Sequence, residues 1–74
     1  MRMLLFSINI ERTSNIAIEA YDFTGKRIQT IYDSQIPKGR FKTSWNVSEL
    51  PAGIYYVRIT VGGSSVLNKK VIVL

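Results

Sequence analysis

The chain contains no cysteine and no histidine among its 74 residues. Without cysteine it has neither disulfides nor thiolate metal ligands. The lack of histidine removes the commonest general base, the commonest metal ligand and every Ser–His or Cys–His nucleophile pair. Acidic residues are also scarce, five Asp/Glu against ten Lys/Arg, so acid–base chemistry would have to rest on a few carboxylates and lysines. That inventory predicts a non-enzyme with no cofactor and no small-molecule substrate. No apolar run approaches the roughly 18 residues that cross a bilayer. The apolar opening Met1–Phe6 is interrupted by Ser7 and Asn9, with no small-residue cleavage site after it, so the isolated chain is expected to be soluble and without an export signal.

What is present is the composition of a small globule. Apolar residues make up 46% and charged residues 20%, too much of the first and too little of the second for a disordered tail. The length predicts a single domain over residues 1–74, burying about 60% or a little more of its unfolded surface and therefore thin in stability. A net charge of +5 keeps such a domain soluble. It also suits nucleic acid, an anionic glycolipid or an acidic protein surface as partner.

Alternation with period two runs through the sequence, and helical periodicity is hard to find. Phe6, Ile8 and Ile10 alternate with polar residues; Ile16, Ile18 and Ala20 repeat the pattern; Arg27 to Tyr32 carries Ile28 and Ile31. Phe41, Thr43 and Trp45 form a fourth strand, Tyr55, Val57, Ile59 and Val61 a fifth, and a last one runs from about Val66 to Leu74. Turn residues separate them. Asp22-Phe23-Thr24-Gly25 suits a short hairpin loop with a bulge at Gly25, and Gly62-Gly63 a two-residue hairpin. Asp33 to Gly39 reads as a longer connection, a candidate crossover between sheets, and Asn46 to Gly53 as a corner. Short antiparallel strands bounded in this way predict an all-β, immunoglobulin-like sandwich of six to seven strands.

Several side chains admit two readings. Trp45 is a core residue by its face, shared with Phe41, or a ligand platform if exposed. Tyr55, just after Leu50-Pro51-Ala52-Gly53, is placed to return its hydroxyl to the loop backbone as a tyrosine corner, or is an ordinary strand residue. Asp22 and Asp33 fall where turns use Asp to bind their own backbone, which outweighs a catalytic pair; with Glu49 they lack the dense spacing of a calcium loop. Gly62-Gly63-Ser64-Ser65 precedes no helix and is no phosphate cradle. Lys26, Arg27, Lys38, Arg40, Lys42 and Arg58, interleaved with Tyr32, Phe41 and Tyr56, could form a stacking surface for nucleic acid. Their scatter over turns and several strands argues against that partner. The apolar Met3-Leu4-Leu5-Phe6 at the first strand offers an edge for pairing with a second copy, hence a homodimer through the N-terminal strand.

The ordered set Tyr21-Asp22-Phe23-Thr24-Gly25-Lys26-Arg27-Ile28, Pro37-Lys38-Gly39, Trp45-Asn46, Leu50-Pro51-Ala52-Gly53-Ile54-Tyr55-Tyr56 and Lys69-Lys70-Val71-Ile72-Val73 resembles the C-terminal sorting domains of the type IX secretion system of Bacteroidetes. The immunoglobulin-like domain of flagellar hook-capping proteins is a close lookalike. The resemblance covers residues 6 to 74. It implies a non-catalytic module of a larger secreted or cell-surface protein, read by the export machinery as its partner. Gly25 and Gly53 would then be structural turn residues, like Asp22 and Tyr55, and the terminal strand with Lys69, Lys70, Val71, Ile72 and Val73 would belong to the recognition region. The hook-cap likeness implies instead a structural module in protein assembly. Met1-Arg2-Met3-Leu4-Leu5 stands where the family usually carries a Pro-Asn-Pro-like stretch, which fits either an N-terminally truncated unit or a stand-alone relative without a sorting role.

Overall fold

The structure, a computed structural model, describes residues 2–74, the side chains of residues 65 and 66 excepted. Six strands follow one another: β1 (Met3–Ile10), β2 (Ser14–Asp22), β3 (Arg27–Ile36), β4 (Gly39–Asn46), β5 (Gly53–Val61) and β6 (Ser64–Val73). All pairings are antiparallel, in a two-stranded sheet β1–β4 and a four-stranded sheet in the order β3–β2–β5–β6. The fold is the predicted β-sandwich, at the lower end of the expected strand number.

The alternation explains the layering. Ile16, Ile18 and Ala20 of β2 stand in register with Val61, Ile59 and Val57 of β5, so one face of the large sheet is continuously apolar. Leu4, Phe6 and Ile8 of β1 pair with Trp45, Thr43 and Phe41 of β4 and present the matching face of the small sheet. Two half-apolar sheets can keep those faces from water only by closing on each other. Trp45 lies at the centre, 1% exposed, and its Nε1–H donates to Gln29 Oε1 of β3 at 3.1 Å. That contact ties the two sheets together and places Trp45 in the core rather than on a ligand platform. Phe41 packs on Tyr32 with ring centroids 4.7 Å apart, again across the sheets.

The hairpins follow their turn chemistry. Gly25 N–H donates to the Asp22 carbonyl at 3.0 Å and Asp22 N–H to the Lys26 carbonyl at 2.9 Å, with Gly25 at φ +91°. This is a type I turn closed by a glycine bulge, and it joins two strands of the same sheet. Gly62 and Gly63, at φ +61° and +86°, give the two-residue turn between β5 and β6. The other three of the five connections pass from one sheet to the other.

One boundary differs from expectation. β3 runs on to Ile36, and the connection to β4 is only Pro37-Lys38. Asp33, Ser34 and Gln35 have weak strand propensity, but they stand opposite Ala17, Ile16 and Asn15. Pairing satisfies the backbone of β2 along its full length, which overrides local preference. β3 also carries two register shifts, opposite Ile18/Glu19 and Ala20/Tyr21. They reset the alternation, so Ile31 packs on the core while Ile28 is 38% exposed.

Candidate recognition surface

The last strand is an edge strand, paired only with β5. Register with β5 assigns its faces: Val71 stands opposite Tyr55 and Val73 opposite Gly53, and both valines are buried. Lys70 stands opposite Tyr56 and Ile72 opposite Ile54, on the outer face. Lys69 stands opposite the buried Val57, on the inner face, yet is exposed. The five residues of the expected recognition region therefore divide by role. Val71 and Val73 hold the strand to the core, and Lys69, Lys70 and Ile72 are presented to solvent.

Lys70 belongs to a wider surface. Tyr21, Tyr56 and Lys70 stand side by side across β2, β5 and β6, and the adjacent row is Glu19, Arg58 and Asn68. The Arg58 guanidinium lies over the Tyr21 ring, 5.2 Å from its centroid. Arg27 bonds Glu19 Oε2 at 2.8 Å, and the carboxylate's hydrogen bond and charge raise the guanidinium further above its already high value. The outer face of the large sheet is thus basic and aromatic at once. The sequence offers Tyr56 and Arg58 as members of a basic and aromatic surface without Tyr21; only the pairing of β2 with β5 brings Tyr21 alongside them.

The turn and corner residues are built as supports. Asp22 Oδ1 accepts from Thr24 N–H at 2.9 Å, Thr24 Oγ1–H at 2.5 Å and Lys26 N–H at 3.1 Å. These bonds, the Thr24 hydroxyl foremost, against some desolvation, hold its carboxyl below the ordinary value. Tyr55 Oη–H donates to the Pro51 carbonyl at 2.6 Å, which is the geometry of a tyrosine corner. Around the same corner Val47 N–H donates to the Arg2 carbonyl at 3.0 Å, and Arg2 Nη1–H to the Leu74 carbonyl at 2.8 Å. The start of β1, the corner and the end of β6 are bound at one end of the sandwich.

The residues of the alternative readings lie apart. Asp22 lies at one end of β2, while Asp33 sits opposite Ala17 near the other and accepts from Asn15 Nδ2 at 3.1 Å. Among the described residues, no group of three or more Asp/Glu side chains gathers where it could hold a metal ion. The basic residues are spread out. Arg40 and Lys42 alternate with inward Phe41 and lie on the outer face of the small sheet, while Arg58 lies on the outer face of the large one. Tyr32 and Phe41, half-buried against each other, are not free to stack on bases. Among the described residues no helix is long and apolar enough to cross a membrane.

No curated protein and no solved structure matched the chain. A family model, the secretion system C-terminal sorting domain, does match, and it spans residues 5–74, from within β1 through the end of β6. With this ordered run of strands, turns and corner, the chain belongs to the family of C-terminal sorting domains of type IX secretion.

Proposed function

We propose that this domain directs a larger secreted bacterial protein through the type IX machinery and holds it for release or attachment at the cell surface. The observation that carries the reading is the family match over almost the whole chain. The domain acts as a signal that is bound, without chemistry of its own. Export machinery reads it through the exposed part of the recognition strand, Lys69, Lys70 and Ile72, with Asp22, Gly25, Gly53 and Tyr55 fixing the turns and corner that shape the module. The division of β6 into buried valines and presented lysines supports this assignment. A strand that must also complete the core offers only its outward side chains and its free backbone edge to a receptor.

The test fuses residues 1–74 behind a signal peptide and a reporter in a Bacteroidetes host. Reporter outside the wild-type cell but retained in the periplasm of a strain lacking the machinery is the expected result. Retention in both strains, with the domain folded, would leave a structural assembly module as the better account. Lys69→Ala with Lys70→Ala then maps recognition without removing Val71 or Val73 from the core.

A further inference from the structure

The sandwich has four edge strands, β1, β3, β4 and β6. Natural sheets guard such edges with charge, and three of the four do: Arg27 and Asp33 on β3, Arg40 and Lys42 on β4, Lys69 and Lys70 on β6. β1, Met-Leu-Leu-Phe-Ser-Ile-Asn-Ile, has no charged residue. Its backbone is also open. The Arg2 carbonyl accepts from Val47 N–H, which fixes the phase of the β1–β4 ladder. In an antiparallel pair alternate residues bond across, so Leu4, Phe6, Ile8 and Ile10 face β4. The N–H and C=O groups of Met3, Leu5, Ser7 and Asn9 point away from it, toward no other strand.

Beside that edge the large sheet is uncovered. Along the inner face of β6, exposure rises from Val73 at 3% and Val71 at 8% to Lys69, exposed, and Leu67 at 49%. The small sheet shelters one end of β6 and leaves the other bare. The resulting groove, about 630 Å³, is lined by Ile8 and Ile10 of β1, Ile59 and Val61 of β5, and Leu67 of β6. The space has the position of a third strand of the small sheet.

We propose that this edge receives an extended segment of a partner protein, added as a strand beside β1, with alternate apolar side chains over Leu67 and an acidic one facing Lys69. Strand addition takes its affinity from main-chain bonds and its specificity from the pockets under alternate side chains. Charge decides the occupant. Glu11 and Arg12, which also line the groove, offset each other; Lys69 stands beyond Leu67 on the bare inner face, and the chain carries +5 overall. A second copy entering through its own β1 would bring another inner-face Lys69 and another +5 to the same ground, which disfavours self-pairing; an acidic strand gains from it.

The probe is a peptide of alternating valine and threonine with a central glutamate, titrated into isotope-labelled residues 1–74, with a central-lysine peptide as control. The expected result is slowed hydrogen exchange at the amides of Met3, Leu5, Ser7 and Asn9. The glutamate peptide should bind about fivefold more tightly than the lysine one, the scale of an exposed ion pair. Lys69→Glu, an exposed substitution, should reverse that order. Ser7→Pro, which removes an outward N–H and no bond to β4, should weaken both peptides. The proposal is overturned by protection at β3 or β6 amides instead, by an unchanged order in Lys69→Glu, or by no binding at about 1 mM glutamate peptide. It is overturned equally if β1 amides become protected with protein concentration alone, since the occupant would then be a second copy. Because the assay needs no export, its failure leaves the sorting function standing, and failure of export leaves this result standing.

Discussion

At the scale of residues, the most informative groups are those whose bonds close turns. Asp22 accepts three hydrogen bonds from its own loop, and its carboxyl is held below the ordinary value. A depressed folded-state value contributes stability that is present in full above the unfolded value, near about 3.9, and is lost as pH falls through the folded one. Urea midpoints should therefore be steady at neutral pH and fall in the acid range below about 4. Asp22→Asn should be less stable at neutral pH and show a shallower acid limb; an identical limb would remove Asp22 from the account. Tyr55→Phe leaves the Pro51 carbonyl without its donor, and a loss of about 1 kcal/mol in a urea titration is expected. At Gly25 an added Cβ would meet nothing within 4 Å, so Gly25→Ala tests backbone strain alone. With φ at +91° it should cost about 1–2 kcal/mol. A neutral substitution would show that the turn adopts another conformation.

At the scale of elements, the sequence reveals strands more readily than sheets. Period-two alternation located β1, β2, β4 and β5, because each must present one face to a shared core, while β3 and β6 were read from apolar residues bounded by turns. It understated β3, where the two register shifts break the alternation and Asp33-Ser34-Gln35 is held in a strand by β2. Sheet membership was not legible, since alternation says which side chains point inward and not which backbone pairs with which. The turn at Asp22–Gly25 suits neighbours in one sheet, but immunoglobulin-like connectivity often crosses sheets there, and only the pairing of β2 with β3 decides between the two. The same limit governed β6. Leu67, Lys69, Val71 and Val73 all take the inner register of β6, but only the arrangement of the small sheet determines that the last two are covered. A consequence for mapping follows. Deleting Lys69–Leu74 should unfold the domain, since Val71 and Val73 leave the core and removing each side chain costs on the order of 2 kcal/mol. Circular dichroism of the truncated chain checks this. A folded product would mean that β6 is an appendage, and that export defects on trimming report recognition alone.

At the scale of the whole molecule, the order of assembly follows from where the chain must close. β2–β3 and β5–β6 are local hairpins within the large sheet, whereas the small sheet pairs Met3 with Asn46 and has no hairpin of its own. β2 meets β5 through Asp22 and Tyr55, also distant in sequence. Loop-closure entropy precedes the reward in both cases, so folding in milliseconds to seconds is expected rather than microseconds. The two hairpins make the β2–β5 pairing the economical nucleus, since one docking event builds four strands and buries Ile18 against Ile59. β1 arrives afterwards, on a surface already formed. Ile18→Val and Ile8→Val each delete one methylene and should cost about 0.5–1.5 kcal/mol, but through different rates. In stopped-flow urea experiments Ile18→Val should slow folding, and Ile8→Val should mainly speed unfolding. Equal slowing by Ile8→Val would put the small sheet in the nucleus and exclude late docking of β1. The late strand is also the one with no charge on its edge and a bare groove beside it. A chain that forms its large sheet first leaves the inner face of β5 and β6 bare until β1 settles, which gives an incoming strand and β1 the same surface to complete.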